Sequence, residues 1–206
     1  HVLCHSIISR ASIPVSITPV ARKALTGIYT RDRTPTESTE FSMTRFLVPY
    51  LSSFRGQAIF MDCDMLFQAD VAELISLIDC MDHRPLYVVK HDYTPSTQVK
   101  FLNQQQTTYS CKNWSSFMVF NCDHYTARHL TPEFINKASG LDMHQFTWLD
   151  DIEIGELPLE WNWLVGEYEP NPDAKVLHYT LGGPWIPGYE NCDQADLWLA
   201  EKNKMA

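Results

Sequence analysis

The sequence predicts an α/β fold, a mixed and mostly parallel sheet flanked by helices. Three observations predict it. Short runs of β-branched, aromatic and other apolar residues recur at 57–61, 85–89, 116–120 and 175–180, each of strand length. Between them lie segments with apolar residues at helical spacing, notably 71–80 and 132–138. Strands alternating with helices along one chain are the pattern of an α/β sheet. The third observation is AIFMDCDMLFQA at 58–69, where Asp62 and Asp64 stand one residue apart in an apolar run.

The elements follow in order. Val2, Leu3, Ile7 and Ile8 lie at helical spacing and predict a helix over 2–10. Residues 13–20 alternate β-branched and polar positions and read as a strand, with Pro14 and Pro19 at its edges. The polar stretch 30–38 reads as a loop. Ser38 or Thr39 is the candidate cap of a helix running to about Tyr50, with Phe41, Phe46, Leu47 and Leu51 apolar. A buried strand at 57–61, an amphipathic helix at 71–80 and strands at 85–89 and 116–120 come next. Helices are expected at 132–138 and from Asp150 to about Leu157. A strand at 175–180 closes the sheet. A final helix over 192–205 would dock through Leu197 and Leu199. No repeat or long linker interrupts the 206 residues, so a single domain over 1–206 is expected.

Composition narrows the function. With 25 acidic and 16 basic residues the net charge is −9, which argues against nucleic acid as the main partner. A small anionic ligand would need a local cation. Six scattered cysteines without a Cys-x-x-Cys pair argue against structural zinc and for reduced thiols. The absence of a transmembrane run and of a signal-peptide pattern predicts a cytoplasmic location.

The paired aspartates carry the chemistry. In extended chain, residues two apart point the same way, so Asp62 and Asp64 face one site at the end of strand 57–61. Two carboxylates there repel one another unless a cation intervenes. Hard oxygen ligands suit Mn²⁺ or Mg²⁺. His178, which follows the strand beginning at 175, is the candidate third ligand. Gly182 and Gly183 beyond it let backbone approach an anion, and Trp185 offers a wall.

Four segments together, FMDCDML (60–66), SSFMVFN (115–121), LDD (149–151) and HYTLGGPW (178–185), resemble the retaining GT-A-fold glycosyltransferases. They are most similar to glycosyltransferase family 8 and its bacterial relatives. The resemblance runs from about 38 to 185. It implies a nucleotide-sugar donor, UDP-linked, a glycan-type acceptor, and Mn²⁺ or Mg²⁺ held by Asp62, Asp64 and His178. It also places Arg45, Asp62, Asp92, Ser115, Ser116, Gly182, Gly183 and Trp185 in substrate binding, and Asp150 and Asp151 beside the reacting sugar as catalytic groups. Lys90 and His91 would meet phosphate or acceptor, and Trp148, Trp161 and Trp163 are either a sugar platform or core. The chain departs from the family in three places. Gly183 stands where a lysine is usual. Trp114 stands where an asparagine is usual, with Asn113 beside it. The chain opens in what reads as the helix after the family's first strand, so the sheet is expected to lack that strand. Two alternatives remain on the sequence. One is a non-catalytic nucleotide-sugar-binding domain or inactive fragment. The other is a phosphohydrolase of the haloacid dehalogenase type, against which Leu66 and the late position of the motif both count.

Overall fold

The computed structural model describes residues 1–32, 41–92 and 111–205. Helix α1 (Val2–Ile8) is followed, after residues 9–56, by strand β1 (Gln57–Met61). Before β1, Thr44–Leu47 forms a 3₁₀ turn that runs into a single helical turn, α2 (Val48–Leu51). The expected caps Ser38 and Thr39 and most of the expected loop at 30–38 lie outside the described residues. Beyond β1 come β2 (Met65–Phe67), α3 (Val71–Asp79), β3 (Leu86–Val89), β4 (Phe117–Asn121), α4 (Pro132–Lys137) and α5 (Gly140–His144). The chain continues through β5 (Ile154–Leu157), β6 (Trp163–Leu164), β7 (Val176–His178) and α6 (Ala195–Asn203).

The strands form two mixed sheets. The first has the order β1-β4-β3-β5 and the second β2-β7-β6. In the first, β4 runs antiparallel to both β1 and β3, while β3 and β5 are parallel. Three of its four strands therefore share one direction. Both faces are buried, which explains the continuous apolar runs. Leu86, Val88, Met118 and Phe120 face a core completed by Met43, Phe46, Leu47, Ile135 and Phe146. Their alternates Tyr87, Val89, Phe117 and Val119 face a second core with α1, α3, Met65, Phe67 and Val176. Asp70 caps α3, its carboxylate accepting the Ala72 N–H at 2.9 Å.

Three expectations are corrected. Residues 13–20 form no strand, and Ile13, Val15 and Ile17 are exposed. Alternation alone does not make a strand when prolines remove donors and no strand among the described residues pairs with it. Residues 150–157 are not a helix. A 3₁₀ turn over Asp151–Glu153 leads into β5, whose edge position needs only four residues. Tyr87 packs over Gly155 there, where a Cβ would lie 2.2 Å from its ring. Lastly, Leu197 and Leu199 point to solvent, and α6 docks through Ala195, Trp198 and Glu201. The Glu201 carboxylate accepts from Arg10 at 2.9 Å and lies 2.6 Å from His5 Nδ1, tying α6 to α1. Arg10 chiefly, with His5, holds the Glu201 carboxyl down at about 2 despite its burial.

Candidate metal centre

Asp62, Cys63 and Asp64 form the turn by which the chain leaves the first sheet and enters the second. Both ends of that turn are fixed by backbone pairing. The Asp62 N–H donates to the Ser116 carbonyl at 2.9 Å, and the Asp64 carbonyl accepts from Tyr179 N–H at 3.0 Å. In the second sheet Met65 pairs with His178. That register puts the imidazole beside the turn, with Nε2 3.5 Å from Asp64 Oδ1. One ligand atom from each of Asp62, Asp64 and His178 lies within 4.8 Å of the other two.

Arg45 completes the surroundings. Its Nη2 lies 3.0 Å from Asp62 Oδ1, its Nη1 donates to the Ser115 carbonyl at 2.8 Å, and its guanidinium sits over the Phe60 ring. Burial raises the Asp62 carboxyl above its ordinary range. Arg45 opposes that shift, and the charge of Asp64 adds to it. Burial and, secondarily, His178 push His91 down to about 3, and burial with Arg45 does the same to His144. Both are neutral at pH 7. The group fits a hard divalent cation. Two carboxylates and one imidazole converge, with the Arg45 guanidinium beside one carboxylate.

The other expected site residues divide. Val88 pairs with Met118, one step from the Phe117–Met61 pair, so the end of β3 lies at the same edge as Asp62. Lys90, His91 and Asp92 emerge there, Lys90 over the Trp114 ring. His91 Nδ1 lies 2.9 Å from the Tyr168 hydroxyl, whose pKa burial, Glu167 and Asp92 push up to about 12.

Ser115 and Ser116 are buried and turned inward. Ser115 Oγ lies 2.7 Å from His144 Nδ1, and Ser116 Oγ donates to the Asn113 carbonyl at 2.6 Å. Their hydroxyls are engaged by these inward partners. Gly182 spends its N–H on the Tyr179 carbonyl at 2.9 Å, which removes that donor from an anion. A Cβ on Gly183 would lie 2.0 Å from the Trp185 ring, so the place usual for lysine is filled by indole. Trp185 in turn packs on Trp198 at a tilt, 5.0 Å between centroids, and meets Tyr179 edge-on. Tyr179 belongs to the core on the far side of the second sheet from Val176 and His178. Trp161 lies in the core, Trp163 packs on Tyr168, and Trp148 lines a groove of about 570 Å³ with Phe134, Ala138 and Met143.

Asp150 and Asp151 are not brought to the cluster. Ile154 is level with Leu86, Phe120 and Ala58, at the end of the sheet away from Asp62. The two aspartates occupy the exposed turn leading into that end, where Asp150 N–H donates to Glu153 at 2.9 Å. Sequence reasoning missed Asn162, fully buried at the end of a short 3₁₀ turn. Its Nδ2 donates to Ser116 Oγ at 2.9 Å, and its Oδ1 lies 3.0 Å from His178 Nδ1.

The chain is 47% identical over 204 residues to Protein CDI of Arabidopsis thaliana, an alignment spanning 96% of this chain and 78% of that protein. The chain belongs to the Protein CDI family. No family model matches it. The relative is a plant protein, whereas the motif comparison had pointed to bacterial enzymes. Among solved structures, members of two glycosyltransferase types share the fold. The bifunctional glycosyltransferase WbbM superposes with a TM-score of 0.55 at 18% identity over 84% of this chain and 36% of its own length. GlyE of Streptococcus pneumoniae gives 0.51 at 13% over 79% and 43%. This CDI-family chain thus spans less than half of either enzyme and has a GT-A-type fold. No helix among its described residues is long and apolar enough to cross a membrane.

Proposed function

We propose that this CDI-family chain is a divalent-metal-dependent retaining glycosyltransferase, akin to family 8, that moves a hexose from a UDP-sugar to a glycan-type acceptor. The observation that carries the reading is the meeting of Asp62, Asp64 and His178 on a glycosyltransferase fold. In such a transfer, negative charge grows on the departing diphosphate while the anomeric carbon becomes cationic. Mn²⁺ or Mg²⁺, when bound, supplies Lewis-acid stabilisation of that leaving group. Asp62, Asp64 and His178 hold the cation. Arg45 fixes the Asp62 carboxylate and, through the Ser115 carbonyl, the start of β4. Lys90 supplies a further cation at the same edge, in place of the lysine absent at Gly183. Asp92, Glu167 and Tyr168 stand near His91 as hydrogen-bonding groups for sugar hydroxyls. Six free thiols accord with a reducing, cytoplasmic setting.

A second reading has one observation in its favour. Asp150 and Asp151 lie away from the cluster, which suits a nucleotide-sugar binder without turnover. Calorimetry with UDP and Mn²⁺, followed by an assay for UDP release from UDP-hexoses, separates the two. Metal-dependent binding with turnover supports the transferase. Binding without release of UDP supports the binder. No metal-dependent UDP binding overturns both.

A further inference from the structure

Asn162 sits beneath the metal centre on a chain of hydrogen bonds whose direction can be worked out atom by atom. Ser116 Oγ lies 2.6 Å from the Asn113 carbonyl oxygen. Two oxygens that close share a proton, and only the serine has one to give. Ser116 Oγ must therefore act as acceptor toward its other neighbours, Asn162 Nδ2 at 2.9 Å and His178 Nδ1 at 3.5 Å. That fixes the amide: its NH₂ faces Ser116, and its carbonyl faces His178 Nδ1 at 3.0 Å. A carbonyl accepts only, so the imidazole carries its proton on Nδ1. In the neutral ring this leaves the Nε2 lone pair on the side of Asp64 Oδ1, 3.5 Å away. A lone pair facing a carboxylate oxygen is repulsive in itself, and a cation between them reverses its sign.

We infer that Asn162, oriented by Ser116 and the Asn113 carbonyl, is a positioning residue that locks His178 in the Nδ1–H tautomer and so presents Nε2 as a metal ligand. The inference rests on the metal-centre reading above. Asn162 touches neither substrate nor cation in this scheme. It acts through His178, and its burial leaves it no access to a ligand in the open site.

The test begins with metal-free wild-type protein. Long-range ¹H–¹⁵N correlation spectra of the His178 ring at neutral pH should show the proton on Nδ1. A neutral ring with its proton on Nε2 and none on Nδ1 overturns the inference without any variant. Asn162→Leu, close in volume but without an acceptor, should release the Nδ1–H tautomer. It should also weaken Mn²⁺ binding, read by electron paramagnetic resonance of free Mn²⁺, by about 10- to 100-fold, the usual range for partners that orient a ligating histidine. Asn162→Asp retains an acceptor and should keep the tautomer and recover most of the affinity. Ser116→Ala frees the amide to rotate and should fall between the two. An unchanged tautomer in Asn162→Leu, or an Asn162→Asp variant as weak as Asn162→Leu, overturns the inference. A wild-type protein with the proton on Nδ1 and no Mn²⁺ binding overturns the metal reading instead, so the two failures are distinguishable.

Discussion

Two pairs of aspartates invite comparison. Asp62 and Asp64 bracket one residue; Asp150 and Asp151 are adjacent. Both follow apolar residues, and both begin or end a strand. The first pair lies where one sheet gives way to another. Its backbone is pinned from both sides, Arg45 grips one carboxylate, and an imidazole on the paired strand meets the other. The second pair lies in an exposed turn at the opposite end of the sheet, where Asp150 opens a 3₁₀ turn. The difference teaches that carboxylate spacing proposes a site, and strand register decides it. Met65 pairing with His178 makes one pair a candidate ligand set. Ile154 pairing with Leu86 makes the other an element boundary.

The largest effect that tests this contrast is on metal-dependent ligand binding. Asp64→Ala should abolish Mn²⁺-dependent UDP binding in calorimetry, a loss of at least about 100-fold, since one charged ligand of three is gone. Asp151→Ala should leave it within about twofold, as expected of an exposed residue outside the centre. Equal losses in both would break the comparison.

Stability gives the next contrast. Arg45→Met leaves Asp62 buried without its guanidinium and should cost about 3 kcal/mol at pH 7. With Arg45 gone the folded-state pKa of Asp62 rises further above its unfolded value. The penalty is then present at neutral pH and is relieved as acid protonates the carboxylate. Urea denaturation of wild type and variant should converge as the pH falls toward 4, within the range where wild type itself stays folded. A constant gap would show that lost packing on Phe60, rather than a stranded charge, is the cause.

Asp150→Ala removes only the residue that opens the 3₁₀ turn. It should cost about 1 kcal/mol or less in thermal unfolding, with no change on adding Mn²⁺. The smallest effect concerns Cys63, between the ligands. Burial, then Asp64 and Asp62, push its thiol pKa up. Alkylation by iodoacetamide at pH 8 should therefore quicken a few-fold when a cation neutralises the carboxylates, because the thiolate is the reactive form. Asp64→Ala should quicken it without metal. No response to either would remove Cys63 as a reporter and argue that its charge environment is set elsewhere.

Much of this was legible beforehand, for reasons visible in particular residues. The strands at 86–89 and 117–121 are buried on both faces and 57–61 is half-buried beside them, so their apolar runs are unbroken. The convergence of Asp62 and Asp64 was legible because aspartates inside such a run have no cheap structural role. The three residues of β2 were missed because they are too few for a period. The stretch 150–157 misread as helix because its acidic start mimics a first helical turn. The side-chain directions of Trp185, Ser115 and Ser116 were not legible because orientation is a tertiary property. Alternation through His178 and Tyr179 sends Trp185 to the far face, and the serine hydroxyls turn inward to two histidines and an amide. Asn162 was invisible for the same reason, since only the folded chain brings it under a histidine 16 positions away.

The hand-over from β1 to β2 has a mechanical consequence. Asp62 is anchored to the four-stranded sheet through Ser116, while Asp64 and His178 belong to the three-stranded one. An ion gripped by all three is a rivet through both layers. Loading it would stiffen the joint between them, and emptying it would let one layer slip against the other.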